Sequence, residues 1–154
     1  MSALAPLSVT LRAMQLDDLA ALADMWVASW RDVFAEIDFE ARRAWFCERI
    51  LAHRRDGVRI IVAENEAQLL GFVTVDTTTQ FIDQLAVAPF AMGCGVGQRL
   101  IAQARRVSPR QLLLDVNEDN RRALNFYRRQ GFRVVGEGVS ETSGLPLLRM
   151  AWTP

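Results

Sequence analysis

The sequence has few of the residues that build metal centres or disulfide frameworks. Its 154 residues include only 2 cysteines and 1 histidine. Cys47 and Cys94 lack the spacing of a metal-binding pair, and two cysteines cannot make a disulfide framework. His53 cannot complete a zinc site with them. These shortages predict a protein without a metal, and they favour a reducing, cytoplasmic setting.

An excess of one charge and long apolar runs are missing as well. The 18 basic residues balance the 18 acidic ones, so the formal net charge is zero. Because nucleic-acid binding depends on excess positive charge, we expect no nucleic-acid partner. No apolar run approaches the roughly twenty residues that span a bilayer, and the first residues do not read as a secretion signal. We therefore expect no membrane partner.

The chain does contain alternating strand and helix patterns over the length of one domain. No repeat, low-complexity segment or linker divides it, which predicts a single domain over residues 1–154. Period-two patterns predict about seven strands, at residues 8–13, 58–64, 69–76, 80–87, 111–116, 132–139 and 145–152. Helical periodicity predicts about four helices, with starts near residues 17, 38, 96 and 120.

The connections between these elements predict the fold class. Short turns join the second, third and fourth strands, so these should be antiparallel neighbours. A helix separates the strands at 80–87 and 111–116, which predicts a parallel pair in the middle. The expected fold is α/β (α+β), with a mixed, mostly antiparallel central sheet flanked by the helices.

A glycine-rich turn between a strand and a helix is the most informative local pattern. Residues 81–100 read FIDQLAVAPFAMGCGVGQRL, with Gly93, Gly95 and Gly97 ahead of the helix. The first N–H groups of a helix have no internal partner, and the helix dipole adds partial positive charge there. Such a turn can hold a phosphate. The glycine spacing fits neither GxGxxG nor the P-loop, so a turn without a ligand is the alternative.

A second motif gives this turn a specific interpretation. Val116-Asn117 ends a strand, and Asn120, Ala123, Tyr127 and Gly131-Phe132 follow with the spacing N-x-x-A-x-x-x-Y-x-x-x-G-F. The preceding strand and turn read L-x-V-x-P followed by G-x-G. In this order the two motifs resemble those of the GNAT superfamily, the acetyl-CoA-dependent N-acetyltransferases.

The resemblance implies a cofactor site. The strand with Leu85, Ala86 and Val87 would splay from the strand ending at Val116, and the pantetheine arm of acetyl-CoA would lie in the gap. Asn120 would hydrogen-bond this arm. Main-chain N–H groups of the turn and the first helical residues would hold the pyrophosphate: Met92, Gly93, Cys94, Gly95, Val96, Gly97 and Gln98.

The resemblance also implies the chemistry of the reaction. A neutral primary amine would attack the thioester carbonyl directly, form a tetrahedral intermediate and expel the CoA thiolate. Tyr127 would protonate the thiolate, because a phenol with an ordinary pKa near ten keeps its proton at neutral pH. Asp83 would deprotonate the amine or attract a cationic acceptor. A network of Asp83 with Arg12 or with the backbone is the alternative.

The chain departs from the family pattern in the turn. Met92 stands where the family usually has arginine or glutamine, and Cys94 stands where a basic or polar residue is common. The phosphates would then rest on main-chain N–H groups and the helix dipole, unless Gln98 or Arg99 contributes. Elsewhere, we expect Trp26 in the core and His53 on the surface near a helix end.

The acceptor and the assembly stay open at this point. A small-molecule amine and a peptide amine both fit, and a homodimer through the exposed edge of the closing strands is possible. A CoA-binding sensor of the same fold without turnover is one alternative. A nucleotide-binding oxidoreductase is another.

Overall fold

Seven strands form one mixed sheet in the computed structural model, which describes residues 8–66 and 68–154. The first seven residues, on which the expectation about a secretion signal depends, lie outside this part. The strands are β1 (Thr10–Ala13), β2 (Arg59–Asn65), β3 (Gln68–Asp76), β4 (Phe81–Val87), β5 (Leu112–Asn117), β6 (Arg133–Val139) and β7 (Pro146–Trp152). The helices are α1 (Leu19–Arg31), α2 (Arg43–Arg55), α3 (Val96–Val107) and α4 (Arg121–Arg129).

The strand order is β1-β2-β3-β4-β5-β7-β6. Every neighbouring pair is antiparallel except β4 and β5, which are parallel and joined through α3. The predicted fold class is confirmed, including the parallel pair in the middle. Because β7 lies between β5 and β6, the strand β6 forms one edge of the sheet.

Helices cover both faces of the sheet, as two neighbouring residues of β3 show. A Cβ at Gly71 would lie 3.1 Å from the side chains of Val96 and Leu100 on α3. The ring of Phe72 lies 5.8 Å from that of Phe46 on α2. Successive strand residues point to opposite faces, so α3 packs on one face and α2, with α1 beside it, on the other.

Two details of the second helical segment differ from the sequence expectation. The helix α2 begins at Arg43, so Phe39 lies ahead of it, although the Phe39 ring is buried. The apolar pattern of this segment, with Phe46, Ile50 and Leu51, also predicts Leu51 on the inner side of the helix, whereas the structure leaves it exposed. The buried position is Ile50, and one residue further along a helix points about 100° away. Within the described residues, no helix combines the length and apolar character needed to cross a membrane.

Candidate active site

The parallel strands β4 and β5 separate soon after they pair. Their register is limited to Phe81 with Leu113 and Ile82 with Leu114, and Leu113 N donates to Gln80 O at 2.8 Å. Beyond Ile82, β4 runs on to Val87 with no further pairing to β5 within these two described strands. The result is the V-shaped gap that the resemblance implied.

Main-chain groups of β4 point into this gap. Ala88 N donates to Leu70 O on the β3 side at 2.8 Å. Successive main-chain N–H groups of a strand point to opposite edges. The N–H groups of Val87 and Leu85 therefore face the gap, whereas that of Ala86 faces β3. Of the three residues predicted here, two offer donors to a ligand in the gap.

A bulge in β4 directs two neighbouring side chains toward the first two helices. The β3–β4 register shifts between Val73 and Val75, and Gln84 N donates to the Thr74 hydroxyl at 2.9 Å. Gln84 Oε1 accepts from Trp26 Nε1 at 3.1 Å. The preceding residue, Asp83, also contacts this helical layer, through α2. Bulges commonly re-aim side chains in this way next to active sites.

Asp83 is held by two residues of α2. Arg49 donates from Nε to Oδ2 at 2.6 Å and from Nη2 to Oδ1 at 2.7 Å, and His53 Nε2 lies 2.8 Å from Oδ2. Burial alone would raise the pKa of Asp83, but the hydrogen bonds from Arg49 and His53 outweigh it and hold that pKa well below its usual range. A carboxylate with a lowered pKa is a poor proton acceptor.

Two sequence expectations around Asp83 are wrong. His53 was expected on the surface, yet its side chain is only 19% exposed because it packs against Asp83. Arg12, one of the two alternative partners proposed for Asp83 beside the backbone, instead bonds Asp18 at 2.8 Å and Glu64 at 3.0 Å. Helix α2 carries both true partners to the bulge, a contact that sequence spacing did not indicate.

A cavity of about 520 Å³ opens beside Asp83. Aromatic rings form much of its wall, contributed by α1, the segment after it, α2 and β4: Trp26, Trp30, Phe34, Phe39, Trp45 and Phe81. Trp26 is buried as expected, and its indole N–H also reaches Gln84. Three arginines line the cavity as well, and their guanidinium groups stack on three of these rings: Arg42 on Phe39, Arg49 on Trp45 and Arg149 on Phe81.

Asn117 is a cavity residue that the sequence marked only as a strand end. Its Oδ1 is buried and has no hydrogen-bond partner among the described residues, and Asn117 lines the same cavity. A buried polar atom without a partner costs about 1–3 kcal/mol, so a bound group that donates to Oδ1 would relieve this cost. The sequence signal for Asn117 was its position at the carboxyl end of a predicted parallel strand, where open sheets commonly bind ligands.

The glycine turn leads into the N-terminus of α3. Gly93 and Gly95 have φ of +77° and +83°, which favour glycine. Met92 N donates to Pro89 O and Cys94 N donates to Ala91 O, both at 3.3 Å. These two predicted phosphate donors are therefore already bonded within the turn. The first bond into the helix runs from Arg99 N to Gly95 O at 3.2 Å. The preceding helical N–H groups have no partner within α3.

Side chains leave this turn open to a ligand. A Cβ at Gly93 would meet nothing within 4 Å, whereas one at Gly97 would lie 3.0 Å from the Phe126 ring of α4. Gly97 therefore serves helix packing. Gln98 is exposed beside Gly95, and Arg99 Nη1 donates to Val9 O at 2.9 Å. Gln98 is thus better placed than Arg99 to supplement the main-chain donors.

The two residues of the second motif lie in α4 and at its start. Asn120 Oδ1 accepts from Ala123 N at 3.2 Å, so this side chain caps α4 and keeps its amide N–H groups for a ligand. The Tyr127 ring packs 5.2 Å from Phe126 and 5.5 Å from Phe132. Burial raises the pKa of Tyr127, so its hydroxyl keeps its proton at neutral pH.

An open strand pair, with a helix N-terminus at its end and an aromatic cavity beside it, defines an acyltransferase of the GNAT fold. The chain belongs to the GNAT acetyltransferase family, whose sequence model matches residues 19–132. The nucleotide-binding oxidoreductase, one of the alternatives, is excluded by this membership.

Named relatives agree with the family. The chain is 29% identical over 150 residues to the peptidyl-lysine N-acetyltransferase YiaC of Escherichia coli, covering 92% of this chain and 95% of YiaC. The solution structure of apo YjaB from Escherichia coli matches with a TM-score of 0.74 at 28% identity, covering 94% and 97%. PaiA N-acetyltransferase from Thermoplasma acidophilum, solved with coenzyme A, matches with a TM-score of 0.77 at 20% identity, covering 96% and 99%.

Proposed function

We propose that this protein transfers the acetyl group of acetyl-CoA to the side-chain amine of a lysine in a peptide or protein. The observation that carries the proposal is the gap between β4 and β5, which lies between a helix N-terminus and an aromatic, carboxylate-bearing cavity. The names of the relatives support the lysine acceptor, and the coenzyme A complex of a protein with this fold supports the donor.

The donor half of the site fits acetyl-CoA. The N–H groups of Leu85 and Val87 would pair with the pantetheine arm as an added strand would, and the Asn120 amide would bind the same arm. The free N–H groups at the start of α3 would hold the pyrophosphate, aided by the helix dipole. The open space above Gly93 leaves room for the phosphate oxygens.

In the acceptor half of the site, Asp83 would bind the amine rather than accept a proton from it. Because Arg49 keeps Asp83 ionised, we assign Asp83 to attracting and orienting the ammonium group, the second of its two predicted roles. The ammonium group then loses a proton to water, and the neutral amine attacks the thioester carbonyl directly. The C–N bond forms first and gives a tetrahedral intermediate, and the C–S bond breaks when this intermediate collapses.

Tyr127 is the proposed donor to the leaving group. Its hydroxyl stays protonated at neutral pH, so it can give a hydrogen bond or a proton to the thiolate as negative charge develops on sulfur. After the attack, the nitrogen loses a second proton, which balances the proton that ends on CoA sulfur and restores the Tyr127 hydroxyl through solvent.

A turnover assay tests the proposal. Acetyl-CoA with a lysine-containing peptide should release free thiol and give acetyl-lysine, identified by mass spectrometry. The chain itself contains no lysine, so every acetyl-lysine must come from the acceptor. Tight CoA binding without thiol release over a panel of primary amines would instead support a CoA sensor.

The phosphate site makes a separate prediction about CoA affinity. Gly93→Asp should weaken CoA binding by about tenfold relative to Gly93→Asn, because a carboxylate would repel the pyrophosphate. Both residues tolerate positive φ, so the two variants differ mainly in charge. Titration calorimetry with CoA measures the difference.

Gly57 provides a matched control for this charge. It has φ of +80° and open space around its Cβ, as Gly93 does, but it lies at the end of α2. Gly57→Asp should leave CoA affinity unchanged. Equal affinities of Gly93→Asp and Gly93→Asn would place the pyrophosphate elsewhere.

A further inference from the structure

Three strands form one wall of the cavity in two cross-strand rows. Asn117 on β5 pairs with Leu147 on β7, which pairs with Gly138 on β6. Asp115, Arg149 and Gly136 form the neighbouring row. Cross-strand partners share a face of the sheet, so both glycines lie at the β6 end of the face that carries Asn117.

The fold itself gives no reason for glycine at position 138. Its φ lies outside the left-handed region, and a Cβ there would meet nothing within 4 Å. At Gly136 a Cβ would meet only the Arg149 Cβ, at an ordinary 3.8 Å. Glycine inside a strand costs stability and often marks a place where a ligand approaches closely.

Gly138 also borders the cavity, together with Asn117 and Leu147. Because β6 is the edge strand, nothing in the sheet lies beyond it to close this side. The bare backbone at Gly138 therefore leaves a low rim, over which an acceptor longer than the cavity can extend. The turn after β6 lines the cavity next to Gly138, and it carries the exposed carboxylate of Glu141.

We propose that Gly138 is a specificity-determining residue, which keeps the β6 side of the cavity open so that the flanking residues of a lysine-containing peptide can cross the edge strand. This inference rests on the proposed lysine acetylation and adds to it that the acceptor is longer than one residue. A side chain at position 138 would obstruct the peptide while leaving a single lysine free to enter.

The test compares two acceptors on one set of variants. The acceptors are Nα-acetyl-lysine amide and a peptide with uncharged residues on both sides of one lysine. Gly138→Val should lower kcat/KM for the peptide by about tenfold or more, mainly through KM, because the added methyl groups occupy its path. For Nα-acetyl-lysine amide the change should stay within about twofold.

Smaller changes and a control on the opposite face complete the set. Gly138→Ala adds one methyl group and should show the same selective loss to a lesser degree. Val134→Ile adds one methyl group to the same strand, but Val134 pairs with the buried Met150, on the other face from Arg149. It should affect neither acceptor. The melting temperature of Gly138→Val should not fall, since valine suits strands better than glycine.

Other results would overturn the inference. An equal loss for both acceptors, or no loss for either, would show that Gly138 does not select by acceptor length. A wild-type dimer in sedimentation analysis that Gly138→Val dissociates would show that a second copy covers this rim. Thiol release by wild-type protein with Nα-acetyl-lysine amide would support the proposed acetyltransferase function even if Gly138→Val had no selective effect on the peptide. The two proposals can therefore fail separately. If wild-type protein turns over neither acceptor, the proposed function falls and this inference with it.

Discussion

Tyr127→Phe should lower kcat by about 10²–10⁴-fold, the usual contribution of a general acid, while CoA affinity stays nearly unchanged. The substitution removes only the hydroxyl, and the ring keeps its packing against Phe126 and Phe132. Thiol release at saturating acetyl-CoA measures kcat, and titration calorimetry measures CoA affinity. Unchanged kcat would remove Tyr127 from the chemistry, and a parallel fall in CoA affinity would assign it to binding.

The protonation state of Tyr127 can be read directly. Tyr127 is the only tyrosine of the chain, so tyrosinate absorbance reports on this one group. Because burial raises its pKa, the folded protein should show no tyrosinate at the ordinary tyrosine pKa near 10. The unfolded protein in urea, where the phenol meets water, supplies the reference titration. Ionisation near pH 10 in the folded state would contradict the buried hydroxyl.

Arg49→Met should lower the stability of the folded protein. It leaves the Asp83 carboxylate, only 15% exposed, with His53 as its remaining partner. Breaking a buried pair costs about 3–5 kcal/mol, and we reduce this to about 2 kcal/mol because Arg49 is partly exposed. Urea unfolding at neutral pH measures the change. The KM of a lysine acceptor should also rise, since Arg49 holds Asp83 in place.

The pH dependence follows from the lowered pKa of Asp83. A carboxyl whose pKa is lower in the folded state than in the unfolded state contributes stability above its unfolded pKa, and this stability is lost as the pH falls. Wild-type protein should therefore lose stability below about pH 5. The penalty of Arg49→Met should shrink over the same range, because the carboxyl that loses its partner becomes protonated.

Two further variants control for this interpretation. Arg49→Met combined with Asp83→Asn should recover part of the lost free energy of unfolding, because no charge is then left unpaired. Arg149→Met breaks the Arg149–Asp115 pair, which has similar geometry but more exposed side chains. It should cost about 1 kcal/mol or less. A similar loss in both single variants would show that Asp83 is not specially dependent on Arg49.

Local sequence patterns predicted the scaffold of the site well. The turn lengths and the helix between β4 and β5 predicted a parallel pair, which the strand order confirms. The strand carrying Leu85 and Val87, the glycine turn and α4 all lie where the two motifs indicated. These features depend on main-chain geometry and on residues close together in the chain, so they can be predicted from one sequence.

Side-chain partners across the fold were not predictable in this way. Arg49 and His53 read as ordinary polar positions of a helix, and Asp83 as one charged residue in a strand. Their contact depends on how α2 packs over β4 and on the bulge at Gln84, which local periodicity does not contain. The turn shows the same limit, since only the structure reveals that Met92 N and Cys94 N are already bonded within it.

The sequence by itself determined the family, the order of strands and helices, and the segments that form the gap, because these depend on periodicity, glycine and local spacing. Only the tertiary structure decided the roles of the side chains. It made Asp83 a paired anion, buried the hydroxyl-bearing ring of Tyr127, placed Asn117 beside the cavity with an unpartnered Oδ1 and left Gly138 bare at the sheet edge. Burial and charge pairing are properties of residues distant in sequence that folding brings together, and no local pattern encodes them.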